Sequence, residues 1–219
     1  MTHLPTIRLT GTGPLALATT LALSLAGCAA HSQGPANAMP VDSTNWKRLA
    51  TKADRDRLRS WRDSWMKALA RARIGDAAKI EEQGALFDPD RALSGAVPPS
   101  GAYRCRVFKL GAVGTAMAEF TRYPDFHCRI GDGGSTSSFV KLDGAQRPSG
   151  LIFHDSPSRA IFLGTLILGD ETRQMRYGRD AGRDMIGYVE RVGENRWRLV
   201  LPAPQFESML DVIELVPES

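Results

Sequence analysis

The sequence predicts an α+β fold, mainly β, in which an N-terminal helical segment precedes an antiparallel meander sheet. Apolar residues recur at three- and four-residue spacing between Thr51 and Gly75, the period of a helix with one buried face. Beyond Pro98-Pro99-Ser100-Gly101 they fall instead into short, regularly spaced runs divided by turn residues. Nothing between those runs is long enough for the helical crossover that parallel strands need, so neighbouring strands must be antiparallel.

Residues 1–27 have the layout of a secretory signal peptide. Arg8 is the sole charged residue before Cys28, and it precedes an apolar run from Pro14 to Ala26. That run is shorter than the roughly 20 apolar residues of a membrane span. Leu25-Ala26-Gly27-Cys28 resembles the lipobox of bacterial lipoproteins, in which lipid is attached to the cysteine and the chain is cut just before it. The alternative is an ordinary signal peptide with a chance cysteine near its end. The resemblance implies palmitate-class chains on Cys28. One acyl chain anchors marginally, at about 0.8 kcal/mol per buried methylene, and several make a lasting anchor. Ala29 stands where the usual inner-membrane retention signal is aspartate. The expected address is therefore the periplasmic face of the cell envelope, at the outer membrane rather than the inner. Residues 28–45, rich in small, polar and proline residues, read as the lipidated tether.

Residues 46–95 read as the helical segment. Thr51-Lys-Ala-Asp54 resembles a capping box with Asp in place of Glu, and Asp54 and Asp56 suit the positive end of a helix. Leu58, Trp61, Trp65, Leu69 and Ala72 form the apolar stripe, Gly75 stops the helix, and a weaker helix runs from Asp76 to about Leu86. Trp61 and Trp65 are expected to dock on the core, the other reading being an aromatic ligand box.

Residues 96–219 read as the β domain. Expected strands are Ala102–Leu110, Phe126–Ile130, Phe139–Leu142, Gly150–His154, Arg159–Leu168, Gln174–Tyr177, Met185–Val192, Arg196–Leu201 and Leu210–Val216. The clearest hairpin spans 189–200 and puts Trp197, Leu199 and Leu201 on one face, Arg196 and Arg198 on the other. A closed meander barrel and a sandwich both accommodate these strands. The order of successive hairpins favours the barrel, which also removes exposed edges.

The full chain has 219 residues and a formal net charge of +4. The charge is spread rather than blocked, which argues against a nucleic-acid partner. Cys105 and Cys128 are an even pair in an oxidising compartment and are expected to form a disulfide, against the reading of two buried thiols.

No motif after Cys28 carries a recognisable chemistry. Ser138-Phe-Val-Lys141 fits the S-x-x-K pattern, but in a strand its serine and lysine point to opposite faces, and its companion motifs are absent. No G-x-S-x-G elbow occurs, and His31, His127 and His154 have no metal-ligand spacing. No catalytic residue, metal or cofactor is therefore assigned. The densest polar cluster is Arg176-Tyr-Gly-Arg-Asp-Ala-Gly-Arg-Asp184. Arg179 and Arg183 could fork onto a carboxylate or phosphate beside Tyr177, and Asp180 and Asp184 could act as a carboxylate pair. The plainer reading is a loop whose charges neutralise one another.

The stretch from Trp46 through Asp88-Pro89, then Tyr103-Arg-Cys-Arg106, Tyr123-Pro124 and Phe126-His-Cys-Arg129, resembles a bacterial domain-of-unknown-function family, number 4893. Gly187-Tyr-Val-Glu-Arg-Val-Gly193, Trp197-Arg-Leu-Val-Leu-Pro202 and Glu214-Leu-Val-Pro217 extend the likeness over most of the mature chain. That family has no assigned activity, so the resemblance implies an exported or lipidated protein and no catalytic residues. Two functional classes follow. One is a non-enzymatic envelope lipoprotein whose calycin-like barrel binds a small ligand or an envelope protein, an analogy of fold alone. The other is a hydrolase acting on an envelope polymer through Asp180 and Asp184.

Overall fold

A computed structural model describes residues 45–114 and 117–218. The predicted alternation produces eight strands: β1 Gly101–Ala112, β2 Phe120–Asp132, β3 Thr136–Lys141, β4 Gln146–His154, β5 Ala160–Leu168, β6 Asp184–Gly193, β7 Arg196–Pro202 and β8 Ser208–Pro217. Each pairs antiparallel with its sequence neighbours, and β1 pairs with β8, so the sheet closes into a barrel. On β1, Tyr103 and Cys105 face inward with Val107 and Lys109 in phase, while Phe108 and Leu110 face out.

Two strand expectations are corrected. Gln174–Tyr177 is not a strand. The Gln174 amide donates to Ser149 O at 2.8 Å and accepts from Ser149 Oγ at 2.9 Å, and Thr165 Oγ1 donates to Met175 O at 3.0 Å. Side chains thus tie this segment down while β5 pairs directly with β6. β2 begins at Phe120, earlier than its apolar pattern indicates. Pro124 interrupts the pattern, but it falls where the β1–β2 register shifts between Arg106 and Phe108, a bulge that needs no donor from proline.

One end of the barrel is plugged. Leu93 N donates to Arg191 O, Trp197 Nε1 donates to Gly95 O at 2.9 Å, and Tyr103 Oη donates to Pro99 O at 2.7 Å. Ala96 and Val97 pack inside against Tyr103, Phe139, Phe162 and Trp197. Within this interior lies the expected disulfide, Cys105–Cys128, with Cα atoms 5.9 Å apart. Closing a loop of 23 residues, it removes about 3 kcal/mol of unfolded-chain entropy in the chain-entropy view.

The helical segment covers the outside of the barrel. It comprises α1 Trp46–Leu49, α2 Lys52–Arg59, α3 Trp61–Glu81 and a 3-10 turn, Gly84–Leu86. Thr51 caps α2 by accepting from Asp54 N at 3.1 Å. The reciprocal half of the capping box comes from far away in sequence, because Thr51 N donates to Tyr177 Oη at 3.0 Å and that hydroxyl donates to the Asp54 carboxylate. The stripe breaks at Ser60, whose hydroxyl donates to Asp56 O at 3.0 Å. Asp76 leaves helical geometry and accepts from Lys79 N, so the expected stop at Gly75 is a kink with a fresh N-cap. Trp65 is fully buried and Trp61 only partly so. Among the described residues no helix is long and apolar enough to cross a membrane.

Candidate functional site at the open end of the barrel

The end opposite the plug is formed by the connections β1–β2, β3–β4, β5–β6 and β7–β8. Just inside it, alternation places charged side chains on the inward phase of three strands: Lys109 on β1, Lys141 on β3 and Asp211 on β8, all buried. Lys109 Nζ lies 3.1 Å from Glu207 and 3.2 Å from Asp211. Burial opposes the Lys109 charge, but Asp211 and Glu207 outweigh it and hold this ammonium above its ordinary range. Burial also pushes the Asp211 carboxyl up, against the pull of Lys109 and a hydrogen bond from Ser208.

A polar strap crosses the mouth above this pair. Gln146 Nε2, at the start of β4, donates to Glu207 Oε2 at 3.3 Å, from the far side of the ring. Glu207 has a φ of 70°, a left-handed conformation that costs a residue with a Cβ on the order of 1 kcal/mol. Backbone hydrogen bonds impose it: Val113 N donates to Glu207 O at 2.9 Å, and Ser208 N to Phe206 O at 2.8 Å. To one side of the strap lies a cleft of about 250 Å³ lined by Tyr123, Phe126, Lys141 and Ala145. To the other lies a narrow apolar crevice between Pro148, Leu166, Met185, Leu201 and Ile213, edged by Arg183 and Phe206.

Lys141 is the unusual group. Its ammonium donates to Asp143 O at 2.6 Å and Gln146 O at 3.1 Å and sits 3.5 Å from the centre of the Phe126 ring. It has no carboxylate partner among the described residues, where Asp143 turns its carboxylate to His127 at 2.9 Å. Burial, with Asp143 opposing and Arg147 assisting, pushes Lys141 down to about 8.

The cluster singled out in the β5–β6 connection folds into a tight turn in which Arg183 lies 3.9 Å from Asp180, while Tyr177 and Arg179 point elsewhere. Tyr177 turns to α2, as described. Arg183 pairs with Glu171 at 2.6 Å at the edge of the mouth. Arg179 is exposed and has no ion-pair partner among the described residues. Asp180 Oδ1 accepts from Gly182 N, and Asp184 Oδ1 from Gly178 N, both at 2.9 Å. Burial raises the Asp184 pKa; Oδ1 is held by that turn and the carboxyl borders the apolar crevice beside Arg57. Lys109, Glu207 and Asp211 were not picked out by motif, and Lys141 was singled out only as the lysine of the rejected S-x-x-K pattern. Their signal was positional: Lys109, Lys141 and Asp211 are charged residues on the apolar phase of a strand. Cys28 and His31 lie outside the described residues. Among those described, no group of histidine, cysteine and acidic side chains could hold a metal ion.

A family model described as Domain of unknown function (DUF4893) matches residues 46–215. No curated protein and no solved structure matches the chain.

Proposed function

The chain belongs to the DUF4893 family, and we propose that this member is a lipoprotein of the cell envelope whose barrel holds a small anionic ligand in its open end without reacting with it. Export on residues 1–27, lipid on Cys28 and a place on the periplasmic face, at the outer membrane rather than the inner, are parts of this reading. The observation that carries the ligand site is Lys141, a buried ammonium without a carboxylate partner among the described residues, which rests on the Phe126 ring at 3.5 Å and lines, together with that ring, the cleft at the mouth. Leaving a cation so placed is costly, and an incoming carboxylate or phosphate group offsets that cost by a charge-assisted hydrogen bond. The cleft volume, about 250 Å³, suits a ligand of modest size or the head of a larger one. Against the hydrolase reading stands the use of both loop carboxylates, Asp180 and Asp184, as turn acceptors.

Two experiments test the two halves. Lys141→Gln is expected to weaken binding of a small carboxylate probe by about tenfold, equivalent to 1.4 kcal/mol, in calorimetric titration. Wild-type affinity should fall as pH rises through about 8, because the ammonium is present below that value and lost above it. Equal affinities for the variant and wild type would remove Lys141 from the site. Separately, Cys28→Ser is expected to move the protein from the membrane pellet to the soluble fraction. A variant that still pellets with membranes would end the lipobox reading.

A further inference from the structure

The open end also carries most of the exposed apolar side chains of the described residues. Large hydrophobics that remain exposed are Met66, Ile74, Val113, Leu142, Met175 and Phe206. Val113, Leu142 and Phe206 each belong to a different open-end connection, whereas Met175 lies lower, where its segment is bonded to Thr165 on the outer wall. Ile74, 86% exposed, lies beside Gly75, whose neighbour across space is Glu119 of the β1–β2 connection. Isolated exposed hydrophobics are ordinary, but their gathering at one end is not.

The connections are braced to one another. Val113 N bonds Glu207 O, Gln146 bonds Glu207, Gln205 Nε2 donates to Ala181 O, and Arg147 donates to Gly169 O and Glu171 O. The apolar tips are therefore presented on a fixed rim. Cations surround them: Arg73, Arg122, Arg173 and Arg179 have no ion-pair partner among the described residues, and Arg147 bonds only carbonyls. Several nearby acids are paired, Glu119 with Arg71, Glu171 with Arg183 and Glu207 with Lys109, Asp143 is hydrogen-bonded to His127, and exposed Asp170 has no ion-pair partner among the described residues.

We propose that this rim docks on an anionic lipid surface, with Val113, Leu142 and Phe206 entering the headgroup layer and the unpaired arginines meeting lipid phosphates. Apolar tips alone would fit a protein partner equally well. The excess of unpaired arginines selects an anionic occupant, and bilayer surfaces supply one without a shaped counterpart. The chain permits the geometry. Trp46 is pinned to Asp155 at the plugged end, and the tether from Cys28 has a reach of roughly 55–60 Å when extended, more than the barrel's height of about 25 Å. The inference adds to the ligand site above and does not require that a ligand be bound.

The test is amide hydrogen exchange of the purified protein with vesicles of phosphatidylcholine alone and with vesicles containing about one-third phosphatidylglycerol. Exchange in segments 113–114, 142–145 and 205–207 is expected to slow at least roughly threefold with anionic vesicles only. That protection should fade in about 0.5 M salt and in the variant Phe206→Ser/Leu142→Ser, whose far-ultraviolet dichroism verifies that it folds. No protection with anionic vesicles would overturn the proposal. So would equal protection with both vesicle types, or protection that needs envelope proteins to be added. Failure of the lipobox reading looks different: the protein would then leave the zwitterionic vesicles entirely yet keep the anionic footprint.

Discussion

Arg198→Ala is expected to destabilise the domain by about 3–5 kcal/mol, the range for breaking a buried ion pair from one side. Arg198 and Glu190 are both fully buried, on adjacent strands. The guanidinium donates from Nε and Nη2 to Glu190 Oε2, at 3.0 and 2.7 Å. Its remaining donors reach backbone carbonyls of the segment that leads from the helices to the barrel: Leu86 and Asp88 at 2.8 Å, Arg91 at 3.0 Å and Ala85 at 3.3 Å. Truncation strands one carboxylate, which keeps only Arg159, and leaves these carbonyls without their donor. Two further variants separate the contributions. Arg198→Met with Glu190→Leu removes the stranded charge but not the orphaned carbonyls, so it should recover only part of the loss. Arg198→Lys keeps the charge but cannot fork to so many acceptors, and should fall between wild type and alanine. Urea titrations with the disulfide intact give the values. A loss below about 1 kcal/mol for Arg198→Ala would mean that water enters and replaces the guanidinium.

Arg198 also marks the limit of what the sequence revealed. Alternation in the 189–200 hairpin separated Trp197, Leu199 and Leu201 from Arg196 and Arg198 correctly, and the first set does face the barrel interior. The polar phase looks like a solvated face because alternation records two faces without saying what lies over either. Here the helical segment lies over it, and Val200, on the same phase as Arg198, packs with Trp65 and Leu69. The barrel, its strand order and its disulfide were readable because each follows from short-range signals: turns every few residues, period-two runs and an even cysteine pair. The β5–β6 connection was opaque for the converse reason. Tyr177 finds its partners at Thr51 and Asp54, 126 and 123 residues away, and nothing near Tyr177 announces them. At the mouth, Lys109 and Asp211 are flanked by Phe108 and Leu110, and by Leu210 and Val212. Val107 and Ile213, on their own phase, are apolar too, so Lys109 and Asp211 were visible as charges on an apolar phase, but their pairing needed the β1–β8 closure to bring Lys109 opposite Asp211.

Trp65→Ala should cost about 3–5 kcal/mol, whereas Trp61→Ala should cost less, although both residues belong to one sequence stripe. Trp65 is fully buried, stacks on Tyr188 with ring centres 6.5 Å apart, and lies under the Arg198 guanidinium at 4.7 Å. Its loss would open a cavity at the meeting of α3, β6 and β7, where the neighbours are held by the Arg198 network and cannot collapse inward. Trp61 meets the edge of Tyr188 at 5.1 Å and carries Arg159 on its face at 4.4 Å, but part of the ring is in water. Its removal costs the area it shields, about 25 cal/mol per Å², without an enclosed void. Trp65 has a second property that a hydrophobic ledger alone would miss. Its indole N–H is buried and has no acceptor among the described residues. Trp65→Phe therefore loses ring area but also removes an unsatisfied donor, which carries a penalty of about 1–3 kcal/mol. The two effects oppose each other, so Trp65→Phe should lie within about 1.5 kcal/mol of wild type in urea titrations, well above the alanine variant. If Phe and Ala prove equally damaging, the indole nitrogen has a partner in solution and the donor is satisfied after all. If Trp61→Ala is the more damaging of the pair, the helix docks through its first turn rather than its middle, and the assignment of Trp65 to the centre of the interface fails.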